Sequence, residues 1–445
     1  MNTPQVRLTV AERKHFLKKL LLEIEINEDA ICKALFEDFK KPAFEAVLTE
    51  TYYVKSVIKE LLVNLESWTK PTRVLPSLLN FPSNDYILKE PYGSVLVIAP
   101  WNYPFQLALC PAIAAFASGN RVTVKPSENT PNTSRVIADL LGKIFPKEWL
   151  EVIEGDASKA TQLLTQRWDY IFFTGSVAVG KIVAQAAAVN LTPTTLELGG
   201  KNPCIVHHSA AIELSAKRIV WGKFINAGQT CIAPDYVLVD AKIKDQFIRA
   251  LEVEIEKAYG ANAEQSPDYT RIVNTKHLNR LIALLDNQSV IYGGQSDTKD
   301  CYLAPTLVGE PELSSALMQD EIFGPILPII SYQYEAEIEA IVARYEKSLA
   351  LYVFATDKKF SKKVTKQFSF GGGCINDTII QFNNKRLPFG GVGHSGYGAY
   401  HGKFSIETFL HHKSMVHKGN WLDLPLRYAP YKNKLAWMQK LLRWL

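Results

Sequence analysis

Three short segments of the chain hold residues whose types could do covalent chemistry on an electrophilic carbon. The first is FINAGQTCIAP, residues 224–234, where Cys231 lies among small and polar residues, with Gly228 and Gln229 before it and Pro234 after it. The thiolate is the nucleophilic form of cysteine, so a reactive one needs a partly exposed site that stabilises the anion, and the amide-rich NAGQT loop could be such a site. A lone cysteine fits equally well as a small buried hydrophobe. The second segment is TLELGGKNP, residues 195–203, with Glu197 between apolar residues at the end of a strand-like run. An apolar setting raises a carboxyl pKa and makes a general base; the alternative is a glutamate held in an ion pair. The two glycines after it let the backbone pass close to a ligand. The third is Ala99-Pro100-Trp101-Asn102-Tyr103-Pro104. Prolines on both sides stiffen the loop around Asn102. A rigidly held amide is suited to donate to an oxyanion, although an Asn in such a turn also serves its own backbone.

These segments need a scaffold that brings strand ends together. From residue 94 onward short β-rich runs alternate with helical ones. SVLVIA leads to a helix near 105–117, RVTVKP to one near 131–144, LEVIEG to one near 157–165 and YIFFTG to one near 178–189, followed by TTLELGG and NPCIVH. This alternation predicts a parallel sheet with helices on both faces, and such sheets bind ligands at the carboxyl ends of their strands. A second α/β series begins near 210, with helices around 211–226 and 243–258 and the strands YVLVD, PILPIISY, LALYVFAT and GGCIND. Ahead of both, residues 9–40 and 44–68 read as amphipathic helices, joined to the rest by a proline-punctuated connection through about residue 90.

Composition sets outer limits. The 445 residues are 47% hydrophobic and 21% charged with a formal charge of +5, an ordinary globular balance with no general field for nucleic acid. Six dispersed cysteines form no CxxC pair, which argues against a disulfide framework or a zinc site. The charged N-terminus lacks a signal peptide's apolar region, so the expected location is cytoplasmic. Residues 91–120 carry no Asp, Glu, Lys or Arg, but Pro100, Pro104 and Pro111 oppose a membrane span and favour a buried strand, loop and helix.

Two motifs point elsewhere on first sight. Residues 391–396 match GxGxxG, but the run neither follows a strand nor opens a helix as a dinucleotide fingerprint should, so it reads as a tight loop. Gly175 to Lys181 begins like a phosphate-binding P-loop, yet Ile182 stands where Ser or Thr would hold magnesium. What remains is a glycine turn opening a helix, whose N–H groups and positive dipole end suit a pyrophosphate.

Taken together, these segments resemble the aldehyde dehydrogenase superfamily from about residue 5 to residue 415. The matching runs are PWNYPF, VKPSE, FTGSVAVG, LELGGKNP, FINAGQTCIAP and EIFGP, in the family's order. APDYVLVD, LALYVFAT and LPFGGVGHSGYGAYHGKFSIETF look most like the class 3, fatty-aldehyde branch. The resemblance implies an α/β fold in three parts. These are a Rossmann-like parallel-sheet cofactor domain (1–71 and 95–198), an α/β catalytic domain (199–400) and a small β dimerisation element (72–94 and 401–420), with a basic-aromatic tail over 421–445. It implies a homodimer that oxidises aldehydes with NAD or NADP. Cys231 would be the nucleophile, Asn102 and the Cys231 N–H the oxyanion donors, and Glu197 the base that activates water. Glu321 would hold the nicotinamide ribose, with Phe323 near that ring. Gly175, Ser176 and Gly180 would lie at the pyrophosphate, Lys125 at the adenosine ribose, and Pro100 and Trp101 along the cleft. Glu128, close to Lys125, would repel a 2′-phosphate and so favour NAD, in a branch that often tolerates both cofactors. The intact Glu197 argues against a CoA-acylating relative. The intact Cys231, Glu197 and Asn102 argue against a catalytically silent protein. A cofactor-free cysteine hydrolase would need a histidine, and none lies near Cys231 in sequence.

The tail, YKNKLAWMQKLLRWL over 431–445, has an apolar stripe at helical spacing interspersed with basic residues. It is too short and too charged to span a bilayer. It is suited to pack over a partner subunit near the substrate entrance, or to touch a membrane surface.

Overall fold

The structure, a computed structural model, describes residues 7–443. The chain opens with helices Val10–Ile26 and Glu28–Phe39, the first begun by a Thr9–Glu12 capping box. The single helix expected over 9–40 is therefore two, broken at Asn27, which ends one helix and starts the next. The helix expected over 44–68 is also interrupted, by a π-helical turn at Val47–Thr51 before helix Tyr52–Thr69. Within that turn Glu50 lies wholly buried, bonded to Lys41 and to the Gln106 N–H (2.7 and 2.8 Å). Such turns often mark functional sites.

Two mainly parallel sheets follow. In the first, the strands lie in the spatial order Gly396–Tyr397, Thr194–Glu197, Tyr170–Thr174, Ser94–Ile98, Arg121–Lys125 and Leu150–Val152. All neighbours are parallel except the short 396–397 edge. In the second, the order is Val290–Tyr292, Thr306–Gly309, Ile326–Tyr332, Tyr236–Asp240, Pro203–Val206, Ala350–Phe354 and Gly372–Ile375, again with one antiparallel edge. In the first sheet the chain builds outward from Ser94–Ile98 on one side, then crosses to the other; in the second it adds Tyr236–Asp240 beside Pro203–Val206, jumps to the edge at Val290–Tyr292, returns inward through Thr306–Gly309 and Ile326–Tyr332, and then crosses. That reversal falls between Ser94–Ile98 and Tyr170–Thr174 in the first and between Pro203–Val206 and Ala350–Phe354 in the second. The uncharged stretch resolves as expected into a buried strand and the helix Pro104–Ala117, every residue of which is buried. No helix among the described residues is long and apolar enough to cross a membrane.

A third, antiparallel sheet joins Thr72–Val74, Ser83–Pro91 and Leu410–Lys418, the last two in register from Leu410↔Pro91 to Lys418↔Ser83. Three boundaries differ from those expected. Ser94 already belongs to the first parallel sheet. Gly396–Tyr397 closes that same sheet rather than extending the second. Residues 402–408 form a helix against Tyr52–Thr69 and Pro104–Ala117, so the third sheet resumes only at Leu410. The tail forms a short helix, Leu435–Leu442; Trp444 and Leu445, part of its expected stripe, lie outside the described residues.

Candidate active site

The carboxyl ends of the first sheet face the amino ends of the second across a cavity of about 380 Å³. Thr174 and Glu197, each the last residue of its strand, line it from one side; Cys231, Ile232 and Leu349, each just ahead of a strand, line it from the other. The remaining wall is largely aromatic, with Tyr52, Tyr53, Trp221, Phe382, Phe389 and Tyr400.

Cys231 is half-buried, at the end of a loop whose backbone is held from several directions. Asn226, Ala227 and Gly228 have φ of 54°, 51° and 73°, three consecutive left-handed residues. A run of this kind persists only where its surroundings hold it. Asn226 donates through Nδ2 to the carbonyls of Asn102 and Gln229 (2.8 and 3.1 Å), and its own N–H donates to Glu45 Oε2 (3.0 Å). Gln229 is strapped to Arg271 and Val273 by bonds of 3.0 Å. Asn202 Nδ2 donates to the carbonyls of Cys231 and Ala233, and Tyr352 donates to that of Ile232.

Burial pushes the Cys231 thiol up, and the negative charges of Glu321 and Glu197 push it further. The N–H groups of Cys231 and Ile232 act the other way but do not outweigh this. The loop therefore does not stabilise a resting thiolate, as its amide-rich sequence suggested it could; here the thiol must lose its proton to a base. Glu197 is 2% exposed, and neither carboxylate oxygen has a hydrogen-bond partner among the described residues. Desolvation holds its pKa well above the usual carboxylate range, so once ionised it is a strong base in a dry setting. The glycine-rich loop 391–396 supports it from behind. Gly396 (φ 119°) pairs with Glu197, and a Cβ there would fall 1.9 Å from the Leu196 carbonyl. Leu198 N–H donates to Ser395 O (3.2 Å). That run is a structural buttress, as its context indicated.

Asn102 is 3% exposed, and its Nδ2 donates to the Gln229 carbonyl (3.1 Å), which commits one of its two protons and fixes the amide beside the cysteine loop. The neighbouring Tyr103 hydroxyl pairs with Thr230 (2.7 Å), and buried Lys41 lies 4.0 Å from the Tyr103 ring centroid.

None of the other expected positions lines this cavity. Pro100 and Trp101 follow strand Ser94–Ile98, and the Trp101 ring packs edge-on to Phe323 (5.3 Å) and beside His277 (5.0 Å). Half-buried Glu321 is seated over Gly199, where a Cβ would lie 2.1 Å from its carboxylate oxygen. Burial and Asp235 push its carboxyl up to about 8, against the pull of the Gly200 N–H, Lys201 and Arg280. Gly175 and Ser176 form the turn that opens helix Val177–Val189, with Ser176 as its N-cap. Gly180, by contrast, is buried against Leu198; a Cβ there would clash at 2.7 Å, so its observed work is close helix packing rather than facing the cleft. Lys125 is buried with its Nζ 2.6 Å from the more exposed Glu128. The residues that sequence reasoning missed are His277, Asn202, Asn226, Gln229, Glu45, Tyr103 and Tyr352. Asn202, Asn226, Gln229, Tyr103 and Tyr352 lie inside the quoted runs; His277 and Glu45 carried no local signal.

The aldehyde dehydrogenase family model matches residues 4–415. The 4,4'-diaponeurosporen-aldehyde dehydrogenase of Staphylococcus aureus is 48% identical over 98% of this chain and 96% of its own length. Aldehyde dehydrogenase family 3 member A2 of Rattus norvegicus is 41% identical over 95% and 88%. Among solved structures, the substrate-bound state of Staphylococcus aureus AldH superposes with a TM-score of 0.96 at 47% identity, covering 98% of this chain and 95% of that one. PnpE of Pseudomonas sp. WBC-3 in complex with nicotinamide adenine dinucleotide gives 0.84 at 27% identity over 94% and 87%. The chain belongs to the aldehyde dehydrogenase family, and its relatives are of the class 3 type.

Proposed function

We propose that the protein oxidises medium or long apolar aldehydes, or aromatic ones, to carboxylic acids with NAD or NADP, through a thioester on Cys231. The observation that carries this reading is the meeting of Cys231 and the unpartnered, desolvated Glu197 in one largely aromatic cavity. With the thiol proton passed to water, Cys231 Sγ adds to the aldehyde carbon, and the resulting oxyanion is held by the Asn102 amide and the Cys231 N–H; loss of the aldehyde hydrogen as hydride to a bound nicotinamide would leave the thioester. Glu197 takes a proton from the water that cleaves the thioester and releases the acid.

The residues present fit a nicotinamide dinucleotide. Gly199 leaves the space in which the Glu321 carboxylate sits, where it would hold ribose hydroxyls. The helix opened at Gly175–Ser176 would carry the pyrophosphate, and Trp101 with Phe323 would flank the cleft. Lys125 would meet the adenosine ribose, with Glu128 bonded to it as the group disfavouring a 2′-phosphate. When bound, this group supplies the hydride acceptor that oxidation requires. PnpE, described in complex with the dinucleotide, supports the assignment by likeness.

The aromatic wall and the relative named for a diaponeurosporen aldehyde favour an extended apolar substrate. A homodimer in the cytoplasm is the assembly and location we favour. Edge strand Leu410–Lys418 has one side without a neighbour among the described residues of its sheet, and Leu75, Leu78 and Phe81 are exposed in the connection between Thr72–Val74 and Ser83–Pro91, features that suit a partner subunit. In the tail, exposed Trp421, Tyr431, Leu435 and Trp437 suit a cover over the partner's substrate entrance; peripheral membrane contact is the second reading. The test is reduction of NAD and NADP across aldehydes of increasing chain length, with Cys231→Ala alongside. Turnover that rises with chain length and vanishes in the variant is expected. No reduction with any aldehyde by folded wild-type protein would overturn the reading.

A further inference from the structure

We propose that His207, His208 and Asp240 form a binding site for a divalent transition metal of the zinc class, separate from the active site. None of the three lines the cavity around Cys231. They sit at the opposite ends of their strands. Asn202 and Asp235 precede Pro203–Val206 and Tyr236–Asp240 on the catalytic side, whereas His207 follows the first strand and Asp240 ends the second. This is the carboxyl edge of the second sheet, and the His207 N–H donates to Phe354 O (3.0 Å) across the gap where the winding reverses. A crevice of that kind is where doubly wound sheets bind ligands.

The local geometry brings donors together that strand periodicity would separate. Consecutive strand residues point to opposite faces, yet the two imidazole centroids lie 3.8 Å apart at 41°. The chain turns directly after the strand, with Ala210 N–H bonded to His207 O (2.8 Å). His207 is stacked on Phe360 (4.2 Å, 25°), and its Nδ1 lies 2.9 Å from Ser209 Oγ and accepts from the Ser209 N–H (3.3 Å). Ser209 Oγ is itself fixed by the N–H groups of Thr356 and Asp357, both at 3.1 Å, so the orientation of the ring is set. Nε2 of His207 has no hydrogen-bond partner among the described residues.

His208 Nδ1 lies 2.8 Å from Asp240 Oδ2, and Asp240 Oδ1 is anchored by the Lys242 N–H (3.0 Å). One donor atom from each of the three residues lies within 4.8 Å of the others. Metal bonds of about 2.0–2.1 Å would draw such donors to about 3.3 Å apart, a closure of at most about 1.5 Å, and His208 is exposed and free to move. Two imidazoles and a carboxylate, with water completing the shell, match zinc or cobalt rather than calcium or magnesium. The absence of paired cysteines gave no hint of this site, because its ligands come from two strands, with Asp240 32 residues after His208.

The test is titration of chelator-treated, untagged full-length protein with Co(II), followed by visible absorption and calorimetry, beside His208→Ala and Asp240→Asn. The expected result is one equivalent bound, with d–d bands and no sulfur-to-cobalt charge transfer. Each variant should bind at least tenfold more weakly and turn over aldehyde as wild type does. No cobalt uptake, uptake with a thiolate charge-transfer band, or equal uptake by both variants would overturn the proposal. The last of these outcomes would leave a plain His208–Asp240 pair.

Discussion

In the first sheet the carboxyl ends of the strands carry the chemistry: the loop with Trp101 and Asn102 follows one strand, the Gly175–Ser176 turn another, and Glu197 ends a third. In the second sheet the catalytic side is the amino end, and Cys231, Asn202 and Glu321 all lie in segments that precede strands. The two ends of a parallel sheet thus serve two purposes. A carboxyl-end residue is placed by the strand that precedes it. An amino-end loop is placed by bonds to elsewhere: Asn202, Tyr352 and Glu45 reach into the cysteine loop, and its own Gln229 reaches out to Arg271. Substitutions at the first sheet's strand ends should therefore damage a chemical step, whereas those around the second, Cys231 itself apart, should damage positioning.

The largest effects test the first half of that comparison. Glu197→Gln should lower kcat by about 10²–10⁴-fold with little change in KM, measured as steady-state turnover. Asn102→Ala should cost about 10²–10³-fold in kcat; a loss confined to KM would mean that its amide serves binding alone. A smaller effect tests the second half. Glu45→Ala removes the acceptor for the Asn226 N–H, so kcat should fall by about tenfold, while Glu45→Gln, which keeps an acceptor, should recover most of it. Equal losses in both variants would show that charge, not the bond, matters there.

The smallest effect concerns pH. The Glu321 carboxyl is raised from 4.5 to about 8 in the folded protein. As pH climbs through that window the unfolded chain releases the proton first, so this group's contribution to stability is lost as pH rises. Glu321→Gln has no such loss. In denaturant unfolding without cofactor, the variant should gain on wild type from about pH 5 to about pH 8 and level off above. A difference that stays constant with pH would rule out a raised carboxyl there.

Much of the first sheet was legible in the sequence, because alternating strands and helices obey local periodicity and the carboxyl-end rule then places PWNYP, FTGS and Glu197. The glycine loop at 391–396 was also readable, since no strand led into it. The second half of the site was less so. Glu45 and Asn226 are 181 residues apart, and nothing near either announces the contact. The thiol went the other way from what the NAGQT loop suggested, because burial and two facing carboxylates outweigh nearby N–H groups, and such burial is a property of the assembled cavity. Gly180 resembled a cofactor contact by motif, yet a helix packed onto Leu198 needs a glycine at that position for space alone. The helix breaks at Asn27 and Val47–Thr51 were invisible to periodicity, which survives a single-turn irregularity.

The central claim is that Cys231 carries the acyl group and Glu197 releases it. The direct measurement is intact-protein and peptide mass spectrometry of Glu197→Gln after brief incubation with NAD and a long-chain aldehyde. The account predicts a mass increase equal to the acyl group, located on the peptide containing Cys231 and removed by hydroxylamine. Turnover by the wild type with no such adduct in the variant, or an adduct on another cysteine, would contradict it.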